Sequence, residues 1–169
     1  MSTVTHYTLR PLTPADKPVV TPVLVREWGA TQVVALSLGG VVDASELPGW
    51  VAESDGEVVG LLTYLVRGEV AELVTINAFA GGGVGAALLA ELVEHCRTNG
   101  VRRIAVTTTN DNTRALRFYQ RAGFHLSALR PGAVTEARRS KPEIPELGED
   151  DIPIRDELEL TMALTVELP

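Results

Sequence analysis

A glycine-rich turn between an apolar run and an apolar-striped helix constrains this chain more than any other feature. Residues 81–86 read Gly-Gly-Gly-Val-Gly-Ala, so four of the six positions have no side chain. Glycines let a ligand approach the backbone closely, and the free amides at a helix start attract anions. We therefore predict a phosphate or diphosphate site in this turn, with a tight turn that holds no ligand as the alternative. The predicted binding residues are Gly81, Gly82, Gly83, Val84, Gly85 and Ala86.

The segments around the turn predict a strand, a crossover helix and a second strand. Residues 70–77 have strand composition, residues 84–98 carry an apolar stripe at helical spacing, and residues 103–109 are again strand-like. A strand–helix–strand unit of this length implies a parallel pair with a right-handed connection. Residues 49–54 and 57–66, joined by Asp55-Gly56, add two antiparallel strands before it.

The remaining segments give further elements and one open choice. A helix is predicted from Thr13-Pro14-Ala15-Asp16 to about Trp28, a short helix over 114–122, and a strand from Phe124. Residues 29–48 fit a helix or a strand. Residues 131–153 form a proline-rich excursion with a helical turn near 133–139, and residues 157–166 alternate as a last strand.

Charge and cysteine content narrow the function classes. Fifteen basic against 22 acidic residues give a net charge of −7, which argues against nucleic acid and favours a cationic small substrate. The single Cys96 excludes an intrachain disulfide. No leader and no apolar run long enough to span a bilayer are seen, so we expect a soluble, cytoplasmic chain with no membrane partner. Its length predicts one domain.

The sequence of the turn can be compared with the loops that bind two other phosphate ligands, nucleoside triphosphates and dinucleotides. A nucleotide-triphosphate loop needs Gly-Lys-Ser/Thr, and no lysine is present here. Gly81, Gly83 and Ala86 do fit the G-x-G-x-x-A pattern of dinucleotide binders, and Asp111 follows the next strand. A nicotinamide-dinucleotide binder therefore stays open, although three antiparallel strands before the turn are unusual for that fold.

A second motif lies one strand after the glycine turn. It reads Asn112-x-x-Ala115-Leu116-x-Phe118-Tyr119-x-x-x-Gly123-Phe124. Together with Gly83 and Gly85 it resembles the GNAT superfamily of acyl-CoA-dependent N-acetyltransferases, and the resemblance covers nearly the whole chain. Ala80 departs from the family pattern, which has arginine or glutamine at that position.

The resemblance implies a fold and a set of roles. The fold is α+β (mixed α/β), with a mostly antiparallel sheet of six to seven strands, a splayed parallel pair and flanking helices, formed by one domain over residues 7–169. Backbone groups of Thr75, Ile76 and Asn77 and the side chain of Asn112 would bind the pantetheine arm. Tyr119 would be the general acid for the leaving sulfur, because a phenol stays protonated at neutral pH.

Three carboxylates are candidates for the general base. Glu72, on the strand before the turn, is the first choice, with an exposed strand carboxylate as the alternative interpretation. Glu157 and Glu159 on the last strand also qualify, although their alternation favours a solvated edge. We expect no metal site, since His6, His95 and His125 lack metal-type spacing.

The implied activity is acetyl transfer from acetyl-CoA to a primary amine of a small molecule or peptide, with a cationic acceptor favoured. Residues 26–50 and 131–153 are expected to wall the acceptor site. A non-catalytic acyl-CoA sensor is the alternative from another class. The sequence leaves a homodimer open.

Overall fold

The computed structural model describes residues 6–34 and 40–165. Within them it contains nine strands and four α-helices, with short 3₁₀ segments at Pro14–Asp16, Ala44–Glu46 and Glu149–Asp151. The strands are β1 (Thr8–Pro11), β2 (Gln32–Val34), β3 (Val41–Asp43), β4 (Gly49–Ser54), β5 (Glu57–Arg67), β6 (Val70–Ala78), β7 (Arg103–Thr109), β8 (His125–Arg130) and β9 (Glu157–Ala163). The helices are α1 (Lys17–Trp28), α2 (Val84–Thr98), α3 (Thr113–Arg121) and α4 (Ala133–Ser140).

The chain forms two compact units. The first comprises the residues up to Ile104 together with those from Ala163, and the second comprises Ala105–Met162. In the first unit, β1, β4, β5 and β6 pair antiparallel in that order, and β2 and β3 form a separate hairpin. The open choice for residues 29–48 is therefore resolved as two short strands and a 3₁₀ turn, with residues 35–39 outside the described part.

The parallel pair predicted around the crossover helix is present. The amides of Arg102 and Arg103 donate to the carbonyl of Glu69, at 2.8 and 3.2 Å, directly before β6 begins. Since β6 and β7 both start beside Glu69, they run in the same direction. The amide of Leu164 donates to the carbonyl of Arg102 at 2.8 Å, so β9 ends where β7 starts and runs antiparallel to it.

Helix α1 begins after a capped turn and continues through two prolines. The backbone amide of Thr13 donates to the Asp16 carboxylate at 2.8 Å, as the Thr-Pro-Ala-Asp sequence predicts. Pro18 is tolerated because the first helical residues need no amide donor, whereas Pro22 removes one intrahelical hydrogen bond. The buried face of α1, with Val20 and Leu24, packs against the sheet at Leu61 and Val74.

Helix α2 packs on the opposite face of the same sheet. Its buried residues match the apolar stripe of the sequence, except that Val93 is half-buried. They are Val84, Leu88, Leu89, Leu92 and Cys96. A Cβ at Gly60 of β5 would lie 2.6 Å from Cγ1 of Val84, so this glycine allows the first turn of α2 to approach the strand. The start of the helix is thereby fixed against the sheet.

In the second unit β9 lies between β7 and β8. It pairs with β8 antiparallel, with Leu129 opposite Leu158 and Arg130 opposite Glu157. The seven strands β1-β4-β5-β6-β7-β9-β8 form one mixed sheet, which confirms the mixed α/β class predicted from the sequence. The last strand ends at Ala163, and Val166 of the predicted strand lies outside the described residues. No helix among the described residues is long and apolar enough to cross a membrane.

Candidate active site

The glycine turn exposes backbone amides at the start of α2. Gly82 and Gly83 have φ of 76° and 78°, in the left-handed region that glycine adopts without strain. Gly83 is the N-cap and no side chain caps the helix, so the amides of the first turn keep no side-chain partner. A Cβ at Gly83 would meet no atom within 4 Å, so the space beside the turn is open. The turn therefore suits a diphosphate group.

A β-bulge interrupts β6 just before the turn. Thr63 of β5 pairs with Thr75, but the next residue, Tyr64, pairs with Leu73, which leaves Val74 as the extra residue. Bulges bend and twist a strand and are common beside active sites. The hydroxyls of Thr63 and Thr75 lie 2.6 Å apart and both residues are fully buried. Thr75 is thus held by its side chain at the point where β6 is predicted to bind the pantetheine arm.

Asn77, at the end of the predicted pantetheine segment, is tied to helix α1. The indole nitrogen of Trp28 donates to Oδ1 of Asn77 at 2.7 Å. Two residues later, the guanidinium carbon of Arg26 lies 4.9 Å from the ring centroid of Phe79. The last turn of α1 is therefore attached to the strand that leads into the glycine turn. From the sequence we expected only that residues 26–50 would wall the acceptor site. The contacts with Asn77 and Phe79 were not predictable, because they join residues about 50 positions apart.

Glu72 is buried, with an exposed fraction of 1%. It lies opposite Leu65 in the register of β5 and β6, three residues before the buried Thr75. The interpretation of Glu72 as an exposed strand carboxylate is therefore wrong. The strand is covered on both faces, which its sequence pattern did not reveal.

A cavity of about 320 Å³ lies at the other end of α1 and is separate from these residues. Leu12, Val20 and Leu47 give it an apolar floor, and Lys17 and Glu46 form an ion pair at it. Because a 12-residue helix is about 18 Å long, this cavity is remote from the turn that follows β6.

In the second unit, Asn112 and Tyr119 lie on the same short helix. Oδ1 of Asn112 accepts the amide of Ala115 at 3.1 Å, so Asn112 caps α3. Oδ1 of Asn112 is thus engaged within the helix, and Nδ2 is the atom that can bond a ligand. The sequence motif predicted the residue but not this capping role.

Tyr119 is 5% exposed, and its ring meets Phe118 and Phe124 edge to face. The centroid distances are 5.4 and 5.5 Å. Burial raises the pKa of the phenol far above its ordinary value, which keeps it protonated at neutral pH. These ring contacts hold the phenol ring in place.

The two carboxylates of β9 are half-buried, and the expectation of a solvated edge is wrong. Arg130 donates to Oε2 of Glu159 at 3.0 Å, and the Glu159 side chain is 18% exposed. Burial raises the pKa of Glu157, while the nearby Arg130 opposes that rise. The reason is the strand order: β9 is inserted between β7 and β8, so the last strand of the sequence is an inner strand.

The excursion after β8 is an ordered lobe of the second unit. Oδ1 of Asn110 accepts the amides of Arg155 and Asp156 at 2.9 and 3.0 Å. Nη2 of Arg138 donates to the carbonyls of Pro145 and Ile154 at 2.8 and 2.9 Å. The helical turn expected near 133–139 is helix α4.

The histidine and cysteine side chains show no reactive arrangement in the described residues. Nε2 of His95 lies 3.0 Å from the hydroxyl of Tyr64, in an aromatic group with Trp50. Burial raises the pKa of the Cys96 thiol to about 11, so the thiol is protonated and unreactive at neutral pH. Its side chain is part of the buried face of α2. No group of three or more candidate metal ligands is found in residues 6–34 and 40–165.

Comparison with known proteins places these features in a family. The profile of the acetyltransferase (GNAT) family matches residues 18–124. The chain is 38% identical over 156 residues to the uncharacterised protein YxbD of Bacillus subtilis, which covers 91% of this chain and 97% of that protein.

Solved structures share the fold. The chain superposes on the IAA acetyltransferase of Bacillus cereus with a TM-score of 0.71 at 24% identity, over 94% of this chain and all of that one. It also resembles a GNAT family acetyltransferase of Elizabethkingia anophelis with acetyl-CoA bound, with a TM-score of 0.63, 22% identity and coverage of 94% and 98%.

Proposed function

Because the chain belongs to the GNAT family and is an acyl-CoA-dependent acetyltransferase, we propose that it moves the acetyl group of acetyl-CoA to a primary amine of a small molecule or peptide. A single domain over residues 7–169 would carry this activity. The observation that supports the proposal best is the open, uncapped glycine turn that follows the bulged strand β6.

The residues of the glycine turn fit the diphosphate of the cosubstrate. The amides of Val84, Gly85 and Ala86 belong to the first turn of α2, where no intrahelical acceptor exists for them. The positive end of the helix dipole adds to their attraction for an anion. Gly81, Gly82 and Gly83 leave room for it, because none of them carries a Cβ.

Strand β6 would hold the pantetheine arm. Backbone groups of Thr75, Ile76 and Asn77 follow the bulge at Val74, where the strand bends. An extended arm can bond such a strand as an added strand would. In the second unit, the amide nitrogen of Asn112 would bond the same arm.

Glu72 and Tyr119 would divide the proton transfers. Glu72 would accept a proton from the ammonium group of the acceptor, directly or through water, because only a neutral amine can attack the thioester carbonyl. As the C–N bond forms and the C–S bond breaks, Tyr119 would donate its phenolic proton to the departing sulfur. The proton that the nitrogen loses on becoming an amide would pass through water and restore the phenol. The phenol of Tyr119 is protonated at neutral pH, as this role requires.

The acceptor amine is expected to be cationic. The net charge of −7 favours the approach of a positively charged acceptor. Residues 26–50 and 131–153 are proposed as the walls of the acceptor site, because both lie outside the cosubstrate motifs. A homodimer remains a proposal that a molar-mass measurement in solution would test.

Release of free thiol from acetyl-CoA tests the proposed activity. We expect amine-dependent thiol release for at least one member of a panel of polyamines, aminoglycosides, amino acids and peptides. Binding of CoA without release for any amine would favour the sensor alternative. A rise in melting temperature with NAD and none with CoA would favour the dinucleotide binder and contradict the proposal.

A further inference from the structure

The strand, the turn and the first 13 residues of the helix that would bind the diphosphate carry no lysine or arginine. Between Arg67 and Arg97 the sequence contains neither residue type, so β6, the glycine turn and most of α2 are without a permanent cation. Backbone amides can cradle a diphosphate, but a fully ionised diphosphate gains further from a charge-assisted hydrogen bond. A cation for this group has to come from another element.

Arg26 of α1 is next to the start of the turn. Its guanidinium lies over the ring of Phe79, with Cζ 4.9 Å from the centroid, and Phe79 immediately precedes Ala80 and the glycines. The Arg26 side chain is 62% exposed, so its head group can reorient. Arginine suits this position because its planar guanidinium stacks on an aromatic ring while its N–H groups bond phosphate oxygens.

The arginine has one competing partner. Its Nε donates to Oε1 of Glu27 at 2.6 Å, and both groups reach the surface. An exposed pair of this kind contributes little free energy, so the diphosphate, with its two negative charges, can replace the carboxylate at small cost. The neighbouring tie between Trp28 and Asn77 keeps the last turn of α1 against the same strand.

We infer that Arg26 provides the cationic side chain for the diphosphate of CoA at the glycine turn. This inference rests on the proposed function, because it takes that turn as the diphosphate site. Arg26 then compensates for Ala80, which occupies the position where the resembling family has a side chain able to donate hydrogen bonds. It acts as a cosubstrate-binding residue supplied from the helix that precedes the sheet.

Titration of variants with CoA tests the inference. Arg26→Ala should weaken CoA binding roughly tenfold, the usual loss for one charge-assisted contact at a partly exposed site. Arg26→Lys should lose less, because the charge remains. Arg97→Ala is the matched control: Arg97 is exposed and lies 13 residues along α2 from Val84, about 20 Å from the turn, and its removal should leave CoA affinity unchanged.

Titration with truncated ligands tests whether Arg26 contacts the diphosphate or another part of CoA. Dephospho-CoA keeps the diphosphate, so the loss caused by Arg26→Ala should persist, whereas pantetheine lacks it and should bind both proteins equally. Disappearance of the loss with dephospho-CoA would move the contact to the ribose phosphate and overturn the inference. A loss that persists with pantetheine would also overturn it, because the effect would then come from displaced Phe79.

Replacement of Glu27, the carboxylate that competes for Arg26, is a second and independent test. Glu27→Gln should strengthen CoA binding about two- to threefold, because an exposed ion pair that competes for Arg26 is removed. Unchanged affinity in Arg26→Ala, with the wild type binding CoA, would refute the inference and leave the proposed function intact. Failure of the wild type to bind CoA would refute the proposed function itself.

Discussion

At the scale of single residues, the proposed proton donor has the most closely described surroundings. Tyr119 is buried between two phenylalanine rings, and this burial raises the pKa of its phenol. Such a group cannot act as a base at neutral pH, so its only acid–base role is donation. The motif Asn112–Phe124 singled out Tyr119 through its resemblance to the family, and its role as the acid stays a prediction.

Replacement of this hydroxyl should affect turnover and not cosubstrate binding. We expect Tyr119→Phe to lower kcat about 100-fold, the lower range for loss of a general acid, while the Kd for CoA stays the same. Steady-state thiol release and calorimetric titration measure the two quantities. Tyr64→Phe removes a buried hydroxyl bonded to His95 and should leave kcat unchanged. Equal turnover of Tyr119→Phe and wild type would remove Tyr119 as the acid.

Glu157 should make stability depend on pH. Burial raises its pKa in the folded chain, so the folded state holds the proton more firmly than the unfolded state. Its contribution to folding is complete below the ordinary glutamate pKa of 4.5 and is lost as the pH rises through the raised value. Glu157→Gln, which is always neutral, should therefore stabilise the protein at pH 8 relative to wild type, and the gain should shrink towards pH 4.

Urea unfolding between pH 4 and pH 8 measures this difference in the free energy of unfolding. Glu143→Gln, at an exposed position of the excursion, serves as the control and should show no such trend. A gain that is constant with pH, or one that grows towards acid, would contradict a raised pKa at Glu157.

At the scale of elements, local patterns predicted most boundaries. The strands 49–54 and 103–109 have the predicted limits, since turn residues such as Asp55-Gly56 and Asn99-Gly100 flank them. The end of α1 at Trp28 was also predicted, but the contacts of its last turn and the position of β9 in the sheet were not. Both depend on pairing between distant segments: Trp28 contacts Asn77, and β9 inserts between β7 and β8. For the same reason Glu157 and Glu159 were wrongly expected at a solvated edge.

The proposed diphosphate site can be tested by replacing Gly83 of the turn and, as a control, Gly100, which has a similar backbone conformation. Gly83 and Gly100 have φ of 78° and 74°, and a Cβ at either would meet no atom within 4 Å. Alanine at each position should therefore cost about 1 kcal/mol of stability for the left-handed backbone. Gly83→Ala should in addition weaken CoA binding severalfold, because its methyl group enters the space predicted for the diphosphate.

The comparison of the two variants isolates the binding effect from the strain. Thermal unfolding gives the stability of each, and titration with CoA gives the affinity. Gly100→Ala should keep the wild-type Kd. If both variants lose CoA affinity equally, or neither does, the turn is not the diphosphate site.

At the scale of the whole molecule, the sequence predicts one domain, and this stays a prediction. The chain contains two compact units. Strand β7 begins in the first unit and continues in the second, and β9 does the reverse. Because two strands belong to both units, we expect them to unfold together. Calorimetry should show one transition that CoA moves upward as a whole. Two separate transitions, with only one shifted by CoA, would contradict the single-domain prediction.

Amide hydrogen exchange measured by NMR with and without CoA shows whether the glycine turn binds the diphosphate. In the free protein, the amides of Val84, Gly85 and Ala86 should exchange rapidly, because the first turn of α2 has neither a side-chain cap nor an intrahelical acceptor for them. Saturating CoA should slow these three amides strongly, while the amides at the far end of α2 change little. If CoA binds and leaves the exchange of these three amides unchanged, the glycine turn is not where the diphosphate is held.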